Sequence, residues 1–461
     1  MRNSKIVELL LSLGKKERSE LLDFVKMERK VSKQDLQLLD FVLQYINELV
    51  RAPFDKLAME KAVLADFFAG QPETSARTKW NHAKNRLLIA VNNYIIHLQL
   101  SNHLMIKNHM LWEYCQQHQL HKNLGSLAKK IEKDYARSKK DFHQEYFNFK
   151  LKEGLLSQVQ GQRKQMDELE EMEGALDDFF VENKLRILTE QFNRHRIINA
   201  PAPDDSFIKM ILTYEIGLKK IGSQLFFEIY LMMTAPTQEQ HYQNAKALFD
   251  AHEHTFSDDY RKTICMYLMN QCVFYCHAGQ YTYAGEYLHH IDYLINNRLF
   301  LVNDRLSTAK YVNTVYMAVV SDRLEWLEHF VKRYAHLINH QDMESIRQLN
   351  LATIAFHKGD HTQALQLLKY VKLNDLYFKI ATYKLEIKLY FEEGLFEILD
   401  SRLAAFRKYI ERSDKIPSDR KHKNTAFLKA VKLLINDALD PLSLQENDFL
   451  ILDYFWLKKK A

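Results

Sequence analysis

NQCVFYCHAGQYTYAGEYLHHI, residues Asn270–Ile291, is the stretch whose reading decides the fold. It divides at Gly279-Gln280 into two helical halves. The second half and its continuation place Ala284, Tyr287, Leu288, Ile291 and Leu294 at steps of three and four, which is one face of an α-helix. The small side chain of Ala284 opens that face, so another helix can approach closely there.

The pattern recurs. The first unit reads Tyr275-x3-Gly279-x4-Ala284-x3-Leu288. Residues Ile346–Val371 repeat it as Ala355-x3-Gly359-x4-Ala364-x3-Leu368, and Lys388–Phe406 as Tyr390-x3-Gly394-x4-Leu399-x3-Leu403. A pair around Val320–Tyr334, with Trp326, Leu327 and Phe330, fits between them without its glycine. Upstream, HYQNAKALFDAH (His241–His252) reads as another second helix. These units resemble tetratricopeptide repeats, helix pairs of about 34 residues with small and aromatic residues at fixed places. The resemblance implies an all-α fold, an α-solenoid whose first helices line a groove. By the alignment, groove positions are Val273, Cys276 and His277, then Thr353, Phe356 and His357, then Lys388, Phe391 and Glu392. The aligned positions carry no run of Lys and Arg, so a clamp for acidic peptide ends is not expected.

Composition agrees with an all-α chain. Of 461 residues only 12 are Gly and 7 Pro, too few for the many turns of a strand-rich fold. The chain is 47% hydrophobic and 27% charged, so it can bury a sizeable core. Its 64 basic and 59 acidic residues nearly balance, which gives no strong nucleic-acid or membrane signal. No run approaches 18 apolar residues, and the N-terminal apolar stretch is broken by Lys15, Lys16 and Arg18. A cytoplasmic protein without a membrane span is the expectation.

Along the chain, residues 1–100 read as a small helical domain. Gly14 suits the C-cap of a first helix, a second runs near Lys15–Met27, and Ser32-Lys-Gln-Asp35 opens a third as a capping box. Pro53 with Asp55, and Gly70-Gln71-Pro72, mark loops before a long helix carrying Trp80, Ala83, Leu87, Val91, Tyr94 and Leu98 on one face. The segments Leu9–Val25, Ala58–Phe68 and Arg77–Ile95 resemble the N-terminal region of a group of uncharacterised bacterial helical proteins, which brings no activity with it. Residues 101–200 read as long helix pairs that begin the solenoid, and residues 206–440 as the repeat array beyond the loop Ala200–Asp205. An acidic run, Asp167–Asp178, and the basic neighbours Lys129–Lys140 read as solvated helix faces. Pro441 is expected to stop the last helix, and residues 441–461 to form an apolar capping or docking segment. There DFLILDYFWL (Asp448–Leu457) sets eight large apolar residues in ten positions before Lys458-Lys459-Lys460. Exposed, it would be an aggregation site, so it folds back on the last repeat or into the groove, or docks a partner.

Linear chemical motifs are sparse. Cys265, Cys272, Cys276 and His277 suggest a soft-metal site, but one helix spreads them over about 16 Å at 1.5 Å per residue. Zinc needs its donors within about 2.3 Å, so packing cysteines are the expectation, with no metal and no cofactor. HExxH, the phosphate loops and G-x-S-x-G are absent from the sequence. The leading expectation is therefore a non-enzymatic scaffold or adaptor that binds a peptide or partner protein in the groove. A nucleic-acid-binding regulator using Arg77, Lys79, Lys84 and Arg86 near Trp80 is one alternative. An enzyme whose site is assembled across helices is the other.

Overall fold

The computed structural model describes residues 5–28, 31–48, 56–158, 165–198, 201–213, 218–302, 305–338, 342–373, 375–413 and 416–461. Among these the chain is all-α, with isolated β-bridges and no strand. No helix of the described residues is long and apolar enough to cross a membrane. The chain divides into two compact units. One comprises residues 1–138 and 142–179; the other comprises 139–141 and 180–461.

The first unit holds α1 (Lys5–Ser12), α2 (Lys15–Met27), α3 (Lys33–Glu48), α4 (Lys56–Ala62) and α5 (Glu73–Asn102). It continues with α6 (Leu104–Gln117), α7 (His121–Arg137), α8 (Gln144–Gln158) and the first part of α9 (Gln165–Ile198). Leu10, Leu21, Leu39, Val63, Trp80 and Val91 make one core, with α5 as its spine. Trp112, Leu124, Ile131 and Leu151 make a second core between α6, α7 and α8. Ser32 and Asp35 form the expected box at α3, the Asp35 amide donating to Ser32 Oγ at 3.1 Å and the Ser32 amide to Asp35 Oδ2 at 3.3 Å. Gly14 departs from expectation. Its φ is −67°, so it is no left-handed C-cap; it caps the start of α2, where its amide donates to Glu17 at 2.6 Å. The nearby carboxylate, not glycine's freedom, decides its role. Pro53 and Asp55 lie outside the described residues.

The second unit takes the rest of α9, then α10 (Ser206–Thr213), α11 (Ile221–Thr234), α12 (Glu239–His252), α13 (Asp258–His277) and α14 (Tyr283–Asn296). Next come α15 (Thr308–Val320), α16 (Leu324–Tyr334), α17 (Met343–His357) and α18 (His361–Leu368). The last are α19 (Leu376–Glu392), α20 (Phe396–Arg412), α21 (Ser418–Ile435) and α22 (Ile451–Lys460). Consecutive helices from α11 to α20 pack as pairs, each pair against the next, and α11 meets α13, α15 meets α17 and α17 meets α19. The loop residues Pro201–Asp205 lie within this unit.

One device turns the chain within the four pairs from α13 to α20. Gly279, Gly359 and Gly394 have φ of 87°, 81° and 66°. After each, the next amide reaches back five residues, Gln280 to Tyr275 O, Asp360 to Ala355 O and Leu395 to Tyr390 O, all at 2.9 Å. The glycine amide bonds the carbonyl three residues back, completing a Schellman cap. The sequence spacing from glycine to Ala284, Ala364 or Leu399 is thus the distance from this cap to a buried residue in the first turn or so of the second helix. The glycine-free unit uses the same cap. Asp322 takes φ 54°, and Arg323 donates to Ala318 O at 2.9 Å, with Ala318, Leu327 and Val331 wholly buried. Between α6 and α7, Gln119 at φ 53° does likewise. Pro441 does not stop α21, which ends earlier at Ile435 and is followed by the left-handed Asp437 at φ 51°.

Tyrosines fill the second unit, and the hydroxyls of Tyr242 and Tyr260 find partners inside it. Tyr242 lies 3.1 Å from His290 Nε2 and 3.3 Å from Cys272 Sγ, and Tyr260 donates to Glu182 at 3.0 Å. Cys265, Cys272 and Cys276 are wholly buried, and burial pushes each thiol up to about 12, so all three stay protonated packing groups.

Candidate functional site

The second unit gathers its chemistry where α13, α15, α17, α19 and α21 face the C-terminal segment. The apolar run Phe449–Leu457 folds back on α19, α21 and the α13–α14 turn. Residues Ile451, Trp456 and Leu457 are buried. Tyr281, in the α13–α14 turn, packs edge-on to Phe455 at 4.7 Å and donates its hydroxyl to Glu446. Trp456 stands edge-on to Phe391 at 5.4 Å and donates Nε1 to Glu392 at 2.8 Å. Lys460 closes on the same Glu392 at 2.6 Å.

Asp453 is the centre of this contact. It is a lone carboxylate in an apolar helix, 3% exposed, which requires partners. Lys384 reaches Oδ2 at 2.5 Å and Lys388 reaches Oδ1 at 2.9 Å. These lysines are one turn apart on α19, so their stems share a face, and both lie over the Phe427 ring of α21. Lys388 also donates to Leu452 O at 3.2 Å. Burial works to raise the Asp453 carboxyl, but the two ammonium groups outweigh it and hold it below its usual range. Burial pulls Lys384 below its ordinary value despite Asp453.

Beside this cluster is a cavity of about 370 Å³. Of the positions expected to line a groove, Thr353, Phe356, His357 and Lys388 line it. Phe391 and Glu392 lie under α22 instead. His277 faces Tyr316, another lining residue, at 6.3 Å, and Val273 is half-buried outside the cavity. Cys276 is wholly buried, so it packs beneath the surface and lines nothing. Tyr377 is 51% exposed, yet burial raises its hydroxyl pKa. His357 meets water, yet the surrounding protein, with Lys388 and Lys459, holds it down to about 4. Side chains that touch solvent while ringed by protein mark a concave surface.

The expectation of a groove without clustered cations is corrected. Lys384, Lys388 and Arg420 all line the cavity. Alignment to the repeat finds only Lys388, because Lys384 lies a turn earlier on α19 and Arg420 comes from α21. The signal in the sequence was the one-turn spacing of Lys384 and Lys388, together with the single acid of the C-terminal run Phe449–Leu457.

The basic helix of the first unit has its cations engaged within that unit. Arg77 meets Glu73 at 3.0 Å, Lys79 meets Gln71 at 3.0 Å, Lys84 meets Glu60 at 3.8 Å and Arg86 chelates Asp35 at 2.8 and 2.9 Å. Trp80 is buried. Among the described residues no group of three or more His, Cys, Asp or Glu side chains is placed to hold a metal ion. No protein-family model, curated protein or solved structure matches the chain.

Proposed function

We propose that this chain is a non-enzymatic interaction scaffold built from tetratricopeptide-like helix pairs. Its second unit holds a short amphipathic helix of a protein partner where α22 now lies. The observation that carries this reading is α22 itself, a helix seated on the first helices by one acid and one tryptophan. Asp453 and Trp456 are three residues apart and so share a face, one between two lysines and the other on Phe391 and Glu392. A buried aromatic anchor beside a desolvated charge is the kind of contact that dominates helix-in-groove binding. The occupant that fits is therefore a peptide helix with Asp followed three positions later by Trp. The carboxylates Asp453 and Glu392 are engaged by Lys384, Lys388, Trp456 and Lys460, which favours holding over acid–base chemistry. The pairing of the α5 cations within the first unit favours it over nucleic-acid binding.

A seated segment of the same chain competes at an effective concentration of about millimolar, so a peptide in trans must meet a weakened α22 to be seen. The probe is a labelled peptide of residues 446–461, and the receptor is the full chain carrying Asp453→Asn and Trp456→Ala. Fluorescence anisotropy should give a Kd of about 10 μM or lower for this variant, and binding at least about tenfold weaker for the unaltered chain. A variant that keeps its helical circular dichroism and ignores the peptide would sink the proposal. So would a variant that cannot fold, since α22 would then be permanent core.

A further inference from the structure

The cavity beside α22 has a charge balance that its own residues leave open. Two ammonium groups, Lys384 and Lys388, face one carboxylate, and both Asp453 oxygens are already engaged. The side chains are 8%, 9% and 5% exposed, so the excess positive charge is desolvated. An ammonium has three donors. Lys384 makes a single hydrogen bond among the described residues, to Asp453. Arg420, at the edge of the same cavity, pairs with no described carboxylate. Most of the remaining wall is apolar, with Phe356, Leu376, Ile380, Leu385 and Leu450 on it. An unbalanced buried cation is costly, and a bound anion relieves it.

We propose that this cavity binds a small amphipathic monoanion, its carboxylate against Lys384, Lys388 and Arg420 and its apolar body against Phe356, Leu376 and Ile380. A cavity of about 370 Å³ has room for a small organic acid such as a medium-chain fatty acid or an aryl-alkanoic acid. A neutral tail of the same length leaves the cation unanswered, and a cationic one adds to it. The site is complete with α22 seated, because Leu450, Leu452 and Asp453 of that segment line it, so it does not depend on a partner ever taking the place of α22.

Isothermal titration calorimetry on the full chain tests this with sodium octanoate, octan-1-ol and octylammonium chloride. Octanoate should bind with a Kd on the order of 10–100 μM, at least about tenfold tighter than the alcohol, with no detectable heat from the ammonium. Ala381→Phe fills the cavity and should abolish binding. Arg420→Glu, at an exposed position, should weaken it about fivefold or more. Absence of octanoate binding, equal affinity for acid and alcohol, or full affinity in a folded Ala381→Phe chain overturns the proposal. Should Ala381→Phe fail to fold, unchanged affinity in Arg420→Glu does the same.

Discussion

Asp453 shows why a buried charge is judged by what removing it leaves behind. Two lysines desolvated around one carboxylate are tolerated because each donates to it. Asp453→Asn strips the negative charge and leaves both ammonium groups buried, a change that costs about 3–5 kcal/mol when one partner of a buried pair is lost. Lys384→Met acts oppositely. It leaves Lys388 and Asp453 as a one-to-one pair, and the thioether can keep the packing against Phe427, so stability should change by less than about 1 kcal/mol. Urea unfolding of both variants checks the contrast. Equal costs would mean that the two-to-one charge count is not what the site feels.

At the scale of the element, the helix pairs stand on a cap more than on a residue type. Gly359 has φ 81° with open space where a Cβ would go, so Gly359→Ala meets no clash and carries only the conformational penalty, about 1–2 kcal/mol. Asp322 holds the equivalent place at φ 54° with a Cβ already accommodated, so Asp322→Ala should cost less than about 1 kcal/mol. Thermal unfolding of the two variants measures the difference, and no excess cost at Gly359 would refute the cap argument. This is also where sequence legibility ends. The units at Gly279, Gly359 and Gly394 are readable because glycine announces the left-handed residue and the spacing to Ala284, Ala364 and Leu399 follows from cap geometry. The same cap at Gln119 carries no such mark, since any polar residue that endures a positive φ can serve there. Groove positions were legible to the extent that they share the repeat register. Thr353, Phe356, His357 and Lys388 do so, whereas Asp453 meets Lys384 across 69 residues, a pairing that no local period encodes.

At the scale of the second unit, the groove and the cavity share a wall, and that makes their occupants interdependent. Leu450, Leu452 and Asp453 belong to the segment that fills the groove and also line the cavity. Without that segment the cavity lacks one side, so a small anion and a seated C-terminal helix must favour each other. Coupling between two ligands is reciprocal at equilibrium. In the Asp453→Asn, Trp456→Ala chain, the peptide of residues 446–461 supplies Leu450, Leu452 and Asp453 in trans and rebuilds the wall. Octanoate at saturation should then tighten peptide binding by roughly tenfold, and saturating peptide should tighten octanoate by the same factor. A shorter peptide that begins at Asp453 keeps the acid and Trp456 but not the two leucines, so its binding should respond less to octanoate. Anisotropy titrations with and without octanoate measure the factor. If the longer peptide binds equally well in both, the anion does not sense the C-terminal segment, and the shared wall has no thermodynamic consequence.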